Sequence, residues 1–172
     1  MSTAHHNLSS FDSHALPSAK GMKAGIVVSE WNSGVTHALL EGALVFLQQH
    51  GVEEQDLVVT KVPGSFELPF GAQLLAEHSE VEAIICLGCV IQGETRHFDF
   101  VSQGVTEGVM RVSLDYHLPV IFGVLTTDTE AQALDRAGGR YGNKGTEAAV
   151  TAIRMIAFQR LLSGGQNTPL SE

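Results

Sequence analysis

The residues best equipped for chemistry stand in short polar runs between apolar stretches. His97 closes the run Gln92-Gly93-Glu94-Thr95-Arg96-His97. An imidazole titrates near neutrality, so it can both take and give a proton; a capping or surface histidine is the ordinary alternative. Ahead of it, Gly93-Glu94-Thr95 is a glycine-led turn whose main-chain N–H groups and Thr hydroxyl could seat an oxyanion or a phosphate. Many strand-to-helix turns look like this one, and Glu94 suits an anion only through its backbone N–H. Arg136 and Lys144 are two of only ten basic residues and flank Gly138-Gly139-Arg140-Tyr141-Gly142-Asn143. A guanidinium suits bidentate phosphate binding, while either residue could be a surface charge or a partner for Glu147. Trp31, the single tryptophan, could stack on a flat heterocycle or pack at a sheet edge.

Two further groups of residues could take part. In Pro63-Gly64-Ser65-Phe66-Glu67-Leu68-Pro69, Ser65 is a natural N-cap and Pro69 falls in a first turn, where a missing N–H costs little. Glu67 could complement the helix dipole or accept hydrogen bonds from a polyol. Cys86 and Cys89 have C-x-x-C spacing, which suggests redox or zinc chemistry, but no second ligand pair accompanies them. In a strand they point to opposite faces, so both read as buried structural thiols. His5, His6 and His14 lack metal-ligand spacing with thiols or carboxylates, and no metal is assigned.

These residues need a frame. Four runs rich in Val and Ile, Ala24–Ser29, Asp56–Val62, Ala83–Ile91 and Pro119–Thr126, read as strands covered on both faces. Amphipathic segments separate them. Val35, Ala38, Leu39, Gly42, Ala43 and Phe46 fall at helical spacing, as do Val101, Val105, Val109, Val112 and Tyr116, and Ala149, Ala152, Ile153 and Ile156. Thr127 with Glu130 predicts a capping box for a helix running through Ala137, stopped by Gly138 and Gly139. The alternation predicts an α/β fold with a four-stranded parallel sheet and helices on both faces. In such sheets ligands bind outside the carboxyl ends of the strands, and there the polar runs converge.

Length and composition set the outer bounds. The 172 residues suit one domain, expected over 21–163 between a flexible arm at 1–20 and a frayed tail at 164–172. Charged residues make up 17%, against about 25% in an average protein, which predicts large subunit interfaces unless the core of an ordinary α/β domain takes the surplus. A net charge of −9 with no basic cluster argues against nucleic acid or an anionic membrane as partner. The first 20 residues carry no apolar signal core and no run reaches the length of a membrane span, so a cytoplasmic protein is expected.

Four motifs in order give this chain a resemblance to the lumazine synthase family. They are Val62-Pro63-Gly64-Ser65-Phe66-Glu67-Leu68-Pro69, then Gly88-Cys89-Val90-Ile91-Gln92-Gly93-Glu94-Thr95-Arg96-His97-Phe98-Asp99, then Phe122-Gly123-Val124-Leu125-Thr126, then Arg136-Ala137-Gly138 followed by Gly142-Asn143-Lys144-Gly145. The similarity runs from about Gly25 to Leu162, and a set of four is far more specific than any one. It implies a flavodoxin-like three-layer sandwich, an N-terminal arm able to join a neighbour's sheet, and a reaction needing no cofactor. That reaction condenses a ribitylaminouracil with 3,4-dihydroxy-2-butanone 4-phosphate to give 6,7-dimethyl-8-ribityllumazine. By the resemblance Trp31 stacks on the pyrimidine, Ser65, Phe66 and Glu67 hold the ribityl chain and ring, and Cys89, Val90 and Ile91 meet the ring through backbone groups. Glu94 and Thr95 seat the phosphate with Arg136 opposite, His97 moves protons, Phe122 closes the ring pocket and Lys144 balances charge. Gln92 departs from the family, many of whose members carry Arg there.

The resemblance also implies a pentamer in which Phe122 and Arg136 come from the adjacent chain. By the same resemblance, relatives that stop at pentamers often carry an insertion in the Gly138–Gly145 loop, so its shortness here implies twelve such pentamers in an icosahedral shell, and the family implies riboflavin synthase as a partner protein. Rival readings are an archaeal-type riboflavin synthase, a non-catalytic flavin-binding or shell-forming relative, and a flavodoxin-like electron carrier. The set Thr95, His97 and Arg136 argues against the first two. A Ser/Thr-rich phosphate loop after the first strand, which the third requires, is missing from Glu30-Trp31-Asn32-Ser33.

Overall fold

The computed structural model describes residues 16–164. Its order is β1 (Ala24–Ser29), α1 (Ser33–Gln49), β2 (Leu57–Val62), α2 (Leu68–His78), β3 (Ala83–Ile91), α3 (His97–Asp115), β4 (Val120–Thr127), α4 (Glu130–Leu134), β5 (Ala137–Gly139), β6 (Gly142–Asn143) and α5 (Lys144–Ser163). The four long strands are parallel in the order β2-β1-β3-β4.

Alternation along the strands feeds two cores. Ile26, Val28, Ile85 and Leu87 pack with Leu39 and Ala43 of α1 and Ala149 and Ile153 of α5. Their neighbours Val27, Ile84 and Cys86 pack with Leu68 and Ala72 of α2 and Val105 and Val109 of α3. The sheet is therefore the middle of three layers, as expected from near-continuous apolar strands. Cys86 and Cys89 fall in opposite cores, as period two requires.

The structure corrects several expectations. Two-sided burial holds for β1, whose residues are all buried, but not for β2, where Val58, Val59 and Lys61 are exposed, because β2 is the sheet's edge. Thr127 does not cap α4. Its hydroxyl donates to the Thr129 carbonyl, while the Thr129 side chain accepts from the Gln132 N–H at 3.2 Å. That helix ends at Leu134 rather than Ala137, since Ala137–Gly139 turns back to pair antiparallel with Gly142–Asn143. Gly138 and Gly142 supply the positive φ values of 114° and 77° that the turn needs. Within the stretch read as an arm, Ala19 is fully buried and Leu16 packs on the core; residues 1–15 and 165–172 lie outside the described residues.

Candidate active site

A cleft of about 660 Å³ opens at the carboxyl ends of β1, β2 and β3. This is where the strand order reverses, the position at which open α/β sheets bind ligands. Trp31, Ser65, Phe66, Glu67, Cys89, Val90, Ile91 and His97 all line it.

Each wall has a local cause. Past the end of β1, the Glu30 N–H donates to the Val62 carbonyl at 2.9 Å and the Trp31 N–H to the Pro63 carbonyl at 3.2 Å. These two extra rungs hold Trp31 at the rim, 73% exposed. Asn32 then takes φ 57°, a left-handed conformation that Asn accepts more readily than most residues. Its Nδ2 donates to the Cys89 carbonyl at 2.9 Å, tying the first loop to β3.

The second loop departs from expectation. Ser65–Glu67 forms a 3-10 turn before α2 starts at Leu68. Ser65 caps nothing: its Oγ is buried without a hydrogen-bond partner and sits against Gly88, where an added Cβ would fall 2.6 Å from it. What Ser65 offers the cleft is therefore main chain. The capping contact belongs to Glu67, whose Oε2 accepts the Gly64 N–H at 2.9 Å. The Phe66 ring lies over Gly104 of α3, where a Cβ would stand 2.8 Å from Cε2.

The third loop leads into α3. His97 is the first residue of that helix and is exposed; its N–H donates to Thr95 Oγ1 at 3.4 Å. Glu94 and Thr95 are exposed in the turn before it. The Cys89 thiol is pushed up to about 11 by burial, with the Glu130 carboxylate adding to the effect, and burial raises Cys86 to about 12. Both remain protonated at neutral pH, so neither supplies a thiolate.

The remaining predicted residues gather elsewhere. Phe122, Arg136 and Lys144 line a groove of about 630 Å³ along β4, the other edge of the sheet, and it shares no lining residue with the first cleft. Phe122 is 41% exposed there. Arg136 donates from Nη1 to the Gln132 carbonyl at 2.9 Å, and its guanidinium lies 4.9 Å from the Tyr141 ring centroid, within cation–π range. Lys144 Nζ donates to Glu147 Oε2 at 2.6 Å; the carboxylate is almost fully buried while the lysine side chain keeps 24% exposure toward the groove, so the pair is only partly withdrawn from water.

Sequence reasoning missed some residues of the cleft. Asn32, Phe100 and Val101 line it. Phe100 and Val101 stand three and four residues after His97, a spacing that places them on one helical face, so that signal was present. Asn at a strand-to-helix turn was a weaker pointer. Among the described residues no three His, Cys, Asp or Glu side chains group as a metal site, and no helix is long and apolar enough to cross a membrane.

A sequence profile described as 6,7-dimethyl-8-ribityllumazine synthase matches residues 21–160. A protein of that name from Parabacteroides distasonis is 58% identical over 158 residues, covering 92% of this chain and 99% of the relative. One from Porphyromonas gingivalis is 50% identical, covering 94% and 100%, and one from Flavobacterium johnsoniae is 48% identical, covering 99% and 90%. The similarity thus spans both the strand-end cleft and the β4 groove, and the chain belongs to the 6,7-dimethyl-8-ribityllumazine synthase family.

Proposed function

We infer that this chain condenses 5-amino-6-(D-ribitylamino)uracil with 3,4-dihydroxy-2-butanone 4-phosphate, releasing phosphate and forming 6,7-dimethyl-8-ribityllumazine for riboflavin biosynthesis. Beyond family membership, one observation carries it. Trp31, Phe66 and Phe100 are 73%, 59% and 67% exposed around a single cleft that also holds His97. Exposed aromatic faces beside a titratable group suit a flat heterocycle that must exchange protons.

In this reading Trp31 stacks on the pyrimidine, and the backbones of Cys89, Val90 and Ile91 meet its edge. The Glu67 carboxylate and the main chain of Ser65 and Phe66 take the ribityl chain, since the first N–H groups of a helical turn have no partners within it. The turn at Glu94 and Thr95, at the N-terminus of α3, faces the phosphate. The uracil's 5-amino group attacks the ketone and water leaves to give an imine. His97 shuttles protons as phosphate departs and leaves an enol that tautomerises to a ketone; the ribityl-bearing amine then attacks that carbonyl and a second water leaves as the ring closes. Holding two substrates side by side supplies much of the acceleration.

Arg136, Lys144 and Phe122 complete the site from an adjacent copy. The support is chemical. Among the described residues, no Lys or Arg lines the strand-end cleft, whereas a phosphate ester in a chain of net charge −9 needs local cations. Apolar side chains left exposed on the single chain, among them Val58, Val59, Phe158 and Leu162, favour extensive assembly. The reading is a pentamer, twelve of which form an icosahedral shell, in the cytoplasm, with riboflavin synthase as a partner. Light scattering that finds only pentamer-sized particles overturns the shell.

The activity is tested by mixing the purified protein with both substrates and following lumazine absorbance beside a His97→Ala variant. Product from the native chain and a reduced rate in the variant are expected. Equal rates remove His97 from the mechanism, and no product from an assembled protein overturns the activity.

A further inference from the structure

The hairpin flanked by Arg136 and Lys144 is fastened to α1 chiefly through Asn143. Asn143 donates from Nδ2 to the Ala38 carbonyl at 2.8 Å, and its Oδ1 accepts the Gly145 and Thr146 N–H groups at 2.8 and 3.3 Å. Thr146 Oγ1 adds a bond to the Gly42 carbonyl at 3.2 Å. Two glycines make room: a Cβ on Gly42 would lie 2.5 Å from the Asn143 amide, and one on Gly145 would lie 1.9 Å from the Leu39 carbonyl oxygen. Within the hairpin, the Lys144 N–H donates to the Arg136 carbonyl at 2.9 Å, so the two cationic residues are locked to each other as well as to α1.

An ordinary N-cap needs only an acceptor, which Ser, Thr or Asp would supply. Asn143 adds a donor, and that donor reaches a helix whose own first turn follows Trp31 and Asn32 in the strand-end cleft. From Asn32 to Ala38 is six residues, roughly 9 Å along the helix axis. Within one chain, helix α1 therefore links the strand-end cleft of one proposed site to the cations that the same chain presents to its neighbour's site. We propose that Asn143 is a positioning residue: through Ala38 and Gly42 it sets where Arg136 and Lys144 present their charges, and thereby governs capture of the phosphate-bearing substrate. This rests on the activity inferred above.

The test compares full-length native protein with Asn143→Asp, which keeps the cap acceptor and loses the donor. A second variant, Gly42→Ala, crowds the amide out while leaving Asn143 in place. Expected in both is a KM for the butanone phosphate raised about tenfold or more, a KM for the ribitylaminouracil within about twofold, and native particle size. Calorimetric titration with inorganic phosphate should weaken in parallel. If the native chain makes no lumazine, the activity fails, and the phosphate titration still decides this inference. Unchanged KM values and phosphate binding in both variants overturn it. So does a loss of both KM values together with native assembly, which marks a purely structural cap. Should Asn143→Asp not fold, the same readouts on Gly42→Ala decide between these outcomes.

Discussion

The strand-end cleft and the β4 groove divide the chemistry by residue type and are built in opposite ways. The cleft rests on three loops that follow strands, presents exposed aromatic rings and His97, and among the described residues has no Lys or Arg in its lining. The groove rests on β4 and α5, with two cations that flank a hairpin at its rim, Arg136 on Tyr141 and Lys144 against a buried carboxylate. The difference follows from what each must hold. A flat ring needs apolar faces, which tolerate exposure at modest cost. A cation in a partly dry groove must be paired, and its partner must not move, so the backbone under it is locked. Neither half carries a full set of groups for phosphate elimination, which is why the proposed site joins them across two copies.

The sharpest way to break that comparison is complementation. His97→Ala and Arg136→Ala should each lower kcat/KM by about 100-fold or more, while subunits of the two, unfolded and co-assembled, should recover part of the native rate. Absence of recovery at every mixing ratio would place both groups in one chain. A smaller effect separates the two regions by their glycines. Gly145→Ala drives a methyl into the Leu39 carbonyl and should cost about 2–3 kcal/mol in denaturant unfolding. Gly93→Ala meets nothing within 4 Å and should stay within about 0.5 kcal/mol.

Next comes Trp31→Ala, expected to raise KM for the ribitylaminouracil about tenfold through a lost stacking contact of about 1–1.5 kcal/mol, with KM for the butanone phosphate unmoved. Equal rises in both would mean that Trp31 shapes the cleft as a whole. The smallest effect lies outside both regions and serves as a control. Burial pushes the Glu82 carboxyl up, but the Arg160 guanidinium and the Lys23 N–H outweigh it and hold it below its ordinary 4.5. Because the folded pKa is the lower one, the stabilisation is complete above 4.5 and fades as pH falls through the folded value. Glu82→Gln should cost under about 1 kcal/mol at neutral pH, and the gap from native should close on acidification with kinetics at neutral pH unaltered. A gap that widens toward acid contradicts this sign.

Much of the strand-end cleft was legible because its signals are local. Trp31, the Pro63–Pro69 run and the Gly93–His97 turn each follow a Val- and Ile-rich segment, and the alternation of strand and helix implies a parallel sheet, which gathers the carboxyl ends of the strands at one edge. Ser65 was misread because a serine ahead of a helix satisfies the capping rule, whereas the actual cap depends on how far the Glu67 side chain reaches back to Gly64. The helix expected through Ala137 failed for a comparable reason: pairing across the hairpin outweighed the helical continuation.

By itself the sequence determined the alternation of strand and helix, the sides on which the cysteines fall and the motifs that mark the family, since each depends on residues within a turn or two of one another. Only the tertiary structure decided that Phe122, Arg136 and Lys144 stand apart from His97, that Ser65 turns its hydroxyl inward, and that Asn143 clasps Ala38 across 105 positions of chain. Those outcomes depend on which backbones come within hydrogen-bond reach once the layers have packed, and distance along the chain carries no record of that.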